Sequence, residues 1–263
     1  MSINCIPVVL TIAGTDPSSG AGMLADLRVI QSLGCYGTGV VTAVTAQNTT
    51  AVSRVWPLSR EQVSGQAVAL LEDVRPDAVK VGMLGNAEAA RGVLDTLERF
   101  ACSNVVVDTI LLSSSGALLF DQTDKDLLFE IMKRATVVTP NLPEAETLLG
   151  TSGLPVEEMA RRLSDKCCGV SVLLTGGHGK CETVTDTFYN AAEDNLIYIT
   201  HARVETPNTH GTGCALSAAL ACHLAKGNTL SEAAHCASEF VYEALAAGQS
   251  FCLGHGHGPA FFG

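Results

Sequence analysis

Aromatic residues are scarce in this chain of 263 residues: one Trp, four Tyr and eight Phe make up 5% of it. Charged residues are also few, at 16%, and basic ones fewest, with 16 Lys and Arg against 27 Asp and Glu. The resulting net charge of −11 leaves no basic footprint for general nucleic-acid or anionic-membrane binding. It does not exclude a nucleotide, whose phosphates can be met locally by backbone amides and a metal ion. No apolar run reaches the ~18–20 residues of a membrane span. The start, Met1 to Cys5, lacks the basic and long apolar regions of a secretion signal. The ten cysteines are scattered, with no CxxC pair and no Cys/His zinc spacing. They read as buried reduced thiols, which pack as small hydrophobes, and the expected setting is the cytoplasm.

What is present is a 47% hydrophobic chain whose short apolar runs alternate with helical patterns. Strands are expected at 8–13, 38–44, 52–56, 78–81, 104–107, 137–139, 171–174, 183–189 and 196–200. Helices are expected up to about 33, and over 60–73, 87–100, 124–134, 143–149, 156–168, 213–225 and 230–247. This alternation predicts an α/β fold with a central, mostly parallel sheet and helices on both faces. The adjacent runs at 183–200 predict one antiparallel hairpin at the sheet's edge. With no linker, repeat or low-complexity segment, residues 1–263 read as a single domain.

In such sheets ligands bind outside the carboxyl ends of the strands. The polar residues just after strands are Thr15–Asp16, Gln47–Asn48, Met83, Asp108, Asn141 with Glu144, and Thr175–His178, with Asp26 on the first helix. Asn208-Thr209-His210-Gly211-Thr212-Gly213-Cys214 then leads into a small-residue helix. A helix start of that kind offers unpaired N–H groups and the positive end of the helix dipole to an anion. A tight turn before a buried helix would look much the same. Cys214 sits where the anion's transferable end would lie, and a helix N-terminus lowers a thiol's pKa, so a thiolate base is one expectation. A packing cysteine is the other. Asp108 can steer a metal-bound phosphate, take a proton, or cap a helix or loop. Asn141 and Glu144 can hold Mg²⁺ or form a capping box. Asp26 can serve the substrate or face solvent on its helix. His255 and His257, in a glycine-rich tail, lack further metal ligands.

Several ordered motifs carry a family resemblance. They are Thr11–Gly22 with Ala25-Asp26, Thr42–Thr49, Val81-Gly82-Met83-Leu84, Thr139–Glu146, Thr175–His178, Thr209–Cys214 and Gly256–Pro259. Together they resemble the hydroxymethylpyrimidine/phosphomethylpyrimidine kinases of thiamine biosynthesis, nearly end to end. The resemblance implies a ribokinase-like three-layer fold, a homodimer, and ATP with Mg²⁺. It implies phosphorylation of 4-amino-5-hydroxymethyl-2-methylpyrimidine on its hydroxymethyl group, then of the monophosphate to the pyrophosphate. By position, Gly14, Asp26, Gln47, Met83 and Val107 would line the pyrimidine pocket. Asp108 and Glu144 would serve the metal, and Asn141, Thr175, Gly177 and His210 the ATP. Gly211, Thr212 and Gly213 would form the anion hole, with Cys214 in the place of the superfamily's aspartate base. Related enzymes act on pyridoxal or pyridoxine, so a B6 vitamer is the alternative substrate. One departure stands out: the family's Asp-Pro and following lysine are replaced by Asp108-Thr109 and Ser114. A loop over 109–116 without its cation leaves a binding or regulatory protein with weakened catalysis as a reading of another class.

Overall fold

The computed structural model describes residues 6–111, 124–177 and 181–260. Strand β1, Val8–Ala13, is a run of Val, Leu, Thr and Ile that is buried over five of its six positions. β-Branched side chains fit a pleated, buried surface, and a run without polar alternation belongs in a covered parallel sheet. The same logic builds β5 (Ala78–Val81), β6 (Val105–Val107), β7 (Val137–Val138) and β8 (Ser171–Leu174), all buried throughout. With β2 (Tyr36–Val41), β9 (Thr183–Asn190) and β10 (Asn195–Ala202) they form one eight-stranded sheet, ordered β10-β9-β8-β7-β6-β5-β1-β2. Every pairing from β2 to β8 is parallel, whereas β8–β9 and β9–β10 are antiparallel. The expected edge hairpin is therefore present. Two antiparallel steps also make β10 parallel to β8, so its carboxyl end joins the others.

Alternate strand residues supply the two halves of the core. Val9, Ala78, Val106, Val137, Leu173, Phe188 and Ile199 pack on one face, with residues of α1 (Gly22–Ser32), α7 (Thr212–Ala225) and α8 (Leu230–Ala247). Leu10, Ile12, Val79, Val81, Val105, Val107, Val138, Val172 and Leu174 pack on the other. That face is covered by α2 (Arg60–Leu71), α3 (Ala87–Phe100), α4 (Lys125–Met132), α5 (Leu142–Leu149) and α6 (Val156–Lys166). The three-layer reading of the sequence holds.

One strand differs from expectation. The run 38–44 is not continuous: β2 ends at Val41, and β3 (Ala43–Gln47) leaves the main sheet to pair antiparallel with β4 (Val52–Pro57). Thr42 makes the break. Its backbone N–H still bonds Ala13 of β1, while its buried hydroxyl donates to the Met83 carbonyl at 2.5 Å. The resulting ribbon projects from the carboxyl edge of the sheet and brings Gln47 with it.

Candidate active site

A cavity of about 730 Å³ opens at the carboxyl edge of the parallel strands. Strand ends and following loops line it: Gly14, Met83, Asp108, Thr139, Asn141, Thr175 and Gly177, with Gln47 from the ribbon. Glu144 and the whole Gly211–Cys214 turn complete the wall. A second recess at the opposite edge, beside Lys133, Ser171 and Asn190, holds none of these groups.

Two glycine-rich loops meet inside the cavity. The first, after β1, is closed on Asp16, whose carboxylate accepts from the Ser18 backbone and hydroxyl and from the Ala21 N–H. The second carries His210, whose Nε2 lies 2.9 Å from Asp16 Oδ2 and 3.4 Å from the Gln47 amide. Gly211 has φ +78, and a Cβ there would stand 1.9 Å from the Gly20 carbonyl oxygen. Only glycine allows that approach.

Both loops open helices that lack a capping side chain and a first-turn acid. The N-caps of α1 (Ala21) and α7 (Gly211) make no side-chain capping bond, and neither first turn holds an acidic residue. By contrast, α2, α3, α5 and α8 are each capped by a side chain and carry a glutamate in the first turn. A helix start that lacks both devices leaves its N–H groups and positive dipole end to be met by a ligand anion. At α1 the Ala21 and Met23 N–H groups are already taken by Asp16 and by the Gly14 carbonyl, so the bare start that faces the cavity is that of α7.

The carboxylates lie across from the α7 start. Asp108 follows β6 and accepts from the Ser217 hydroxyl at 3.1 Å. Glu144 forms the expected capping box with Asn141, its Oε2 accepting from the Asn141 N–H at 3.0 Å while Asn141 Oδ1 accepts from the Glu144 N–H. The capping and ligand readings of that pair are compatible, since both residues also line the cavity. Thr109, where the resemblance expects proline, donates its hydroxyl to Glu144 Oε2 at 3.3 Å. Burial first, and then the facing Asp108 charge, pushes Glu144 up to about 7. Burial likewise pushes Asp108 up to about 6, against the pull of Lys80. Thr139 adds a buried hydroxyl with no partner among the described residues.

Four expectations need correction. Cys214 is not poised as a thiolate: burial pushes its thiol up to about 12, and the Asp108 and Asp26 charges oppose ionisation too. Asp26 neither faces solvent nor lines the cavity. It is fully buried, with both oxygens on Lys80 Nζ at 2.9 and 2.8 Å and a third bond from Thr11 at 2.6 Å. Val107 belongs to the core on the face of α2 to α6. Asn48 does not line the cavity either, its Oδ1 accepting from Thr50 and Ala51 in its own turn, whereas the other residues assigned to acceptor, ATP, metal or anion hole do. Ser114 and His178 lie outside the described residues.

Sequence reading missed the far wall, where His201, Ser238 and Tyr242 line the cavity. The His201 and Tyr242 rings stack at 4.9 Å, and Ser238 bridges His201 Nε2 to Asp186.

A sheet of this order with a bare helix start and paired carboxylates at its carboxyl edge is that of a small-molecule kinase. Comparison with known proteins agrees. A *Bacillus subtilis* pyridoxal kinase solved with ADP matches with a TM-score of 0.86 at 30% identity, over 98% of each chain. A phosphomethylpyrimidine kinase from *Clostridium difficile* matches with 0.77 at 33% identity, over 91% of this chain and 99% of that one. The phosphomethylpyrimidine kinase family model matches residues 16–261. A hydroxymethylpyrimidine/phosphomethylpyrimidine kinase of *Rhizobium meliloti* is 41% identical, over 96% of this chain and 95% of its own. The *Escherichia coli* enzyme of the same name is 39% identical, over 95% of each. The chain belongs to the phosphomethylpyrimidine kinase family and is an ATP-dependent kinase of a small molecule.

Proposed function

We propose that the chain transfers the γ-phosphoryl group of ATP to the hydroxymethyl oxygen of 4-amino-5-hydroxymethyl-2-methylpyrimidine, and then phosphorylates the monophosphate. The observation that carries this is the bare α7 start facing Asp108 and Glu144 across one cavity. Relatives at 39–41% identity bear the corresponding name.

The acceptor lies beside Gly14, Gln47 and Met83, where the Gln47 amide suits the edge of an aminopyrimidine. Asn141, Thr175, Gly177 and His210 line the path of ATP. Phosphoryl transfer needs positioning and charge neutralisation more than covalent work by the protein. The amides of Gly211, Thr212 and Gly213 meet the charge on the transferred group. Cys214 stands beside that anion hole as a neutral thiol, because burial raises its pKa, so no standing thiolate is part of this reading.

Mg²⁺ fits the donors present. A buried carboxylate (Asp108), a half-buried one (Glu144), both with raised proton affinity, and an unpartnered Thr139 hydroxyl suit a hard cation that takes few protein oxygens. Among the described residues no group of three or more His, Cys, Asp or Glu could hold a metal alone. Asp108 and Glu144 would therefore share the ion with phosphate and water. When bound it supplies neutralisation of the ATP phosphates.

We also propose a homodimer in the cytoplasm; the nine described cysteines are free thiols, in keeping with a reducing compartment. The pyridoxal kinase matches make a B6 vitamer the second acceptor to test. ADP formation should be measured with the pyrimidine alcohol, its monophosphate and pyridoxal. Turnover of both pyrimidines is expected. Turnover of pyridoxal alone would overturn the reading, and saturable binding without any turnover would favour the weakened-catalysis alternative.

A further inference from the structure

Among the described residues, three buried side-chain polar atoms have no hydrogen-bond partner: Ser64 Oγ, Thr139 Oγ1 and Arg203 Nη2. Two of the three belong to residues that line the kinase cavity. Thr139 follows β7, among residues already assigned. Arg203 follows β10, and nothing in the chemistry above uses it.

Arg203 is rigidly held. Its backbone N–H bonds the Glu182 carbonyl at 2.8 Å, its Nε donates to the Cys181 carbonyl at 2.7 Å, and its Nη1 reaches the Gly177 carbonyl at 3.4 Å. The guanidinium thus ties Gly177 to Cys181. A guanidinium has five N–H donors in a fixed fork. Leaving the Nη2 pair buried and unmet carries a desolvation cost that a well-placed anion would remove.

Charge on the cavity wall points the same way. The carboxylates there are Asp16, Asp108, Glu144 and Asp186, and Arg203 is the one Lys or Arg among the described lining residues. Ser114 stands where the family resemblance expects a lysine. ATP brings a polyanion into this acidic setting. Arg203 and the bare α7 start line the same cavity.

We infer that Arg203 is a nucleotide-binding residue, its Nη2 pairing with the phosphate chain of ATP and supplying the fixed cation that Ser114 does not. The inference rests on the kinase reading but not on the identity of the acceptor. It assigns Arg203 to the non-transferred phosphates, since the amides of Gly211, Thr212 and Gly213 are already assigned to the transferred group.

The test compares ADP with adenosine, which shares the base and ribose and lacks phosphate. Calorimetric titration of wild type, Arg203→Met and Arg203→Lys with each ligand needs no acceptor. Arg203→Met should weaken ADP about ten-fold or more, the range of a lost charge-assisted bond, and leave adenosine unchanged. Arg203→Lys, which keeps the charge but not the fork, should fall between. In steady state, KM for ATP should rise in Arg203→Met while kcat at saturating ATP and KM for the pyrimidine hold. Equal weakening of ADP and adenosine would overturn the inference, because it would mean that Arg203 only shapes the turn. Unchanged ADP affinity would overturn it as well. If Arg203→Met does not fold, Arg203→Lys decides by the same ratio. Absence of ADP formation by wild type with every acceptor would count against the kinase reading and leave the binding ratio interpretable.

Discussion

His210 Nε2 lies 2.9 Å from Asp16 Oδ2, joining two loops 194 residues apart in the chain. Because a carboxylate only accepts, the bond fixes the proton on Nε2 of the imidazole. It clamps the loop that opens α1 to the loop that opens α7, and so fixes the bare α7 start against the first glycine-rich loop.

That clamp has a pH signature. Burial opposes ionisation of Asp16, but the bonds from His210 and Ser18 outweigh it and hold the carboxyl below its ordinary value. A depressed folded pKa contributes stability above the unfolded value of about 4 and loses it as pH falls through the lower folded value. Asp16→Asn should therefore melt below wild type at neutral pH, with the gap closing as the pH drops under about 4. Melting curves across that range check it. A gap that stays constant in acid would show that the contribution is not electrostatic.

Gly211 and Gly213 should part company. Alanine at 211 meets both a left-handed backbone, worth about 1–2 kcal/mol, and the Gly20 carbonyl at 1.9 Å. Gly211→Ala should lose stability and activity together. A Cβ at Gly213 would find nothing within 4 Å, and the residue lies inside α7. Gly213→Ala should gain about 0.5–1 kcal/mol of stability. If phosphate does approach that amide, the same change should cost on the order of 100-fold in kcat/KM for ATP. A stable Gly213→Ala enzyme with normal kcat/KM would place the phosphate elsewhere.

The Lys80–Asp26 pair is fully buried beneath the same helix starts. Burial opposes charging of Lys80, but Asp26, Cys214 and Asp108 outweigh it and raise its pKa. Removing one partner of such a pair leaves an uncompensated charge in the core. Lys80→Met should cost about 3–5 kcal/mol by denaturant unfolding. The double variant Lys80→Met, Asp26→Leu should recover a large part of that. A double variant no more stable than the single one would mean that shape and not charge sets the cost.

Much of this architecture was legible because local signals agreed with the tertiary ones. Val105-Val106-Val107 before Asp108, and Asn141 three residues before Glu144, each announced a boundary and a polar group at the correct edge of the sheet. The run 38–44 misled because the break at Thr42 is made by Met83, far away in sequence. Asp26 misled for the same reason: an acidic residue on a helix looks solvated unless the facing residue is known, and a fully buried lysine on β5 has no local signature. The Cys214 pKa followed burial and neighbouring carboxylates over the helix dipole. Arg203 was accessible to the strand-end rule. It was passed over because β9 and β10 read as an edge hairpin, although two reversals return β10 to the direction of β8.

Glu144 offers the sharpest test of the proposed metal position. Burial and the facing Asp108 charge raise its folded pKa to about 7. Asp108 is raised to about 6. A carboxyl with a raised folded pKa binds its proton more tightly in the folded state. Its favourable contribution is complete below the unfolded value of about 4 and is lost as pH climbs through the folded value. Above pH ~7 the empty site therefore holds two like charges out of water at a net cost. Glu144→Gln removes one of them, and its side-chain oxygen can still accept from Asn141 and Thr109. Without ligands this variant should match wild type near pH 4 and melt higher than wild type at pH ~8. Adding Mg²⁺ with ADP should reverse the order, because the cation binds only the ionised carboxylates and stabilises wild type more. Turnover should fall in parallel. Melting at both pH values, with and without Mg-ADP, decides the matter: a ligand-free Glu144→Gln protein less stable than wild type at the higher pH would show that the capping box outweighs the charge repulsion.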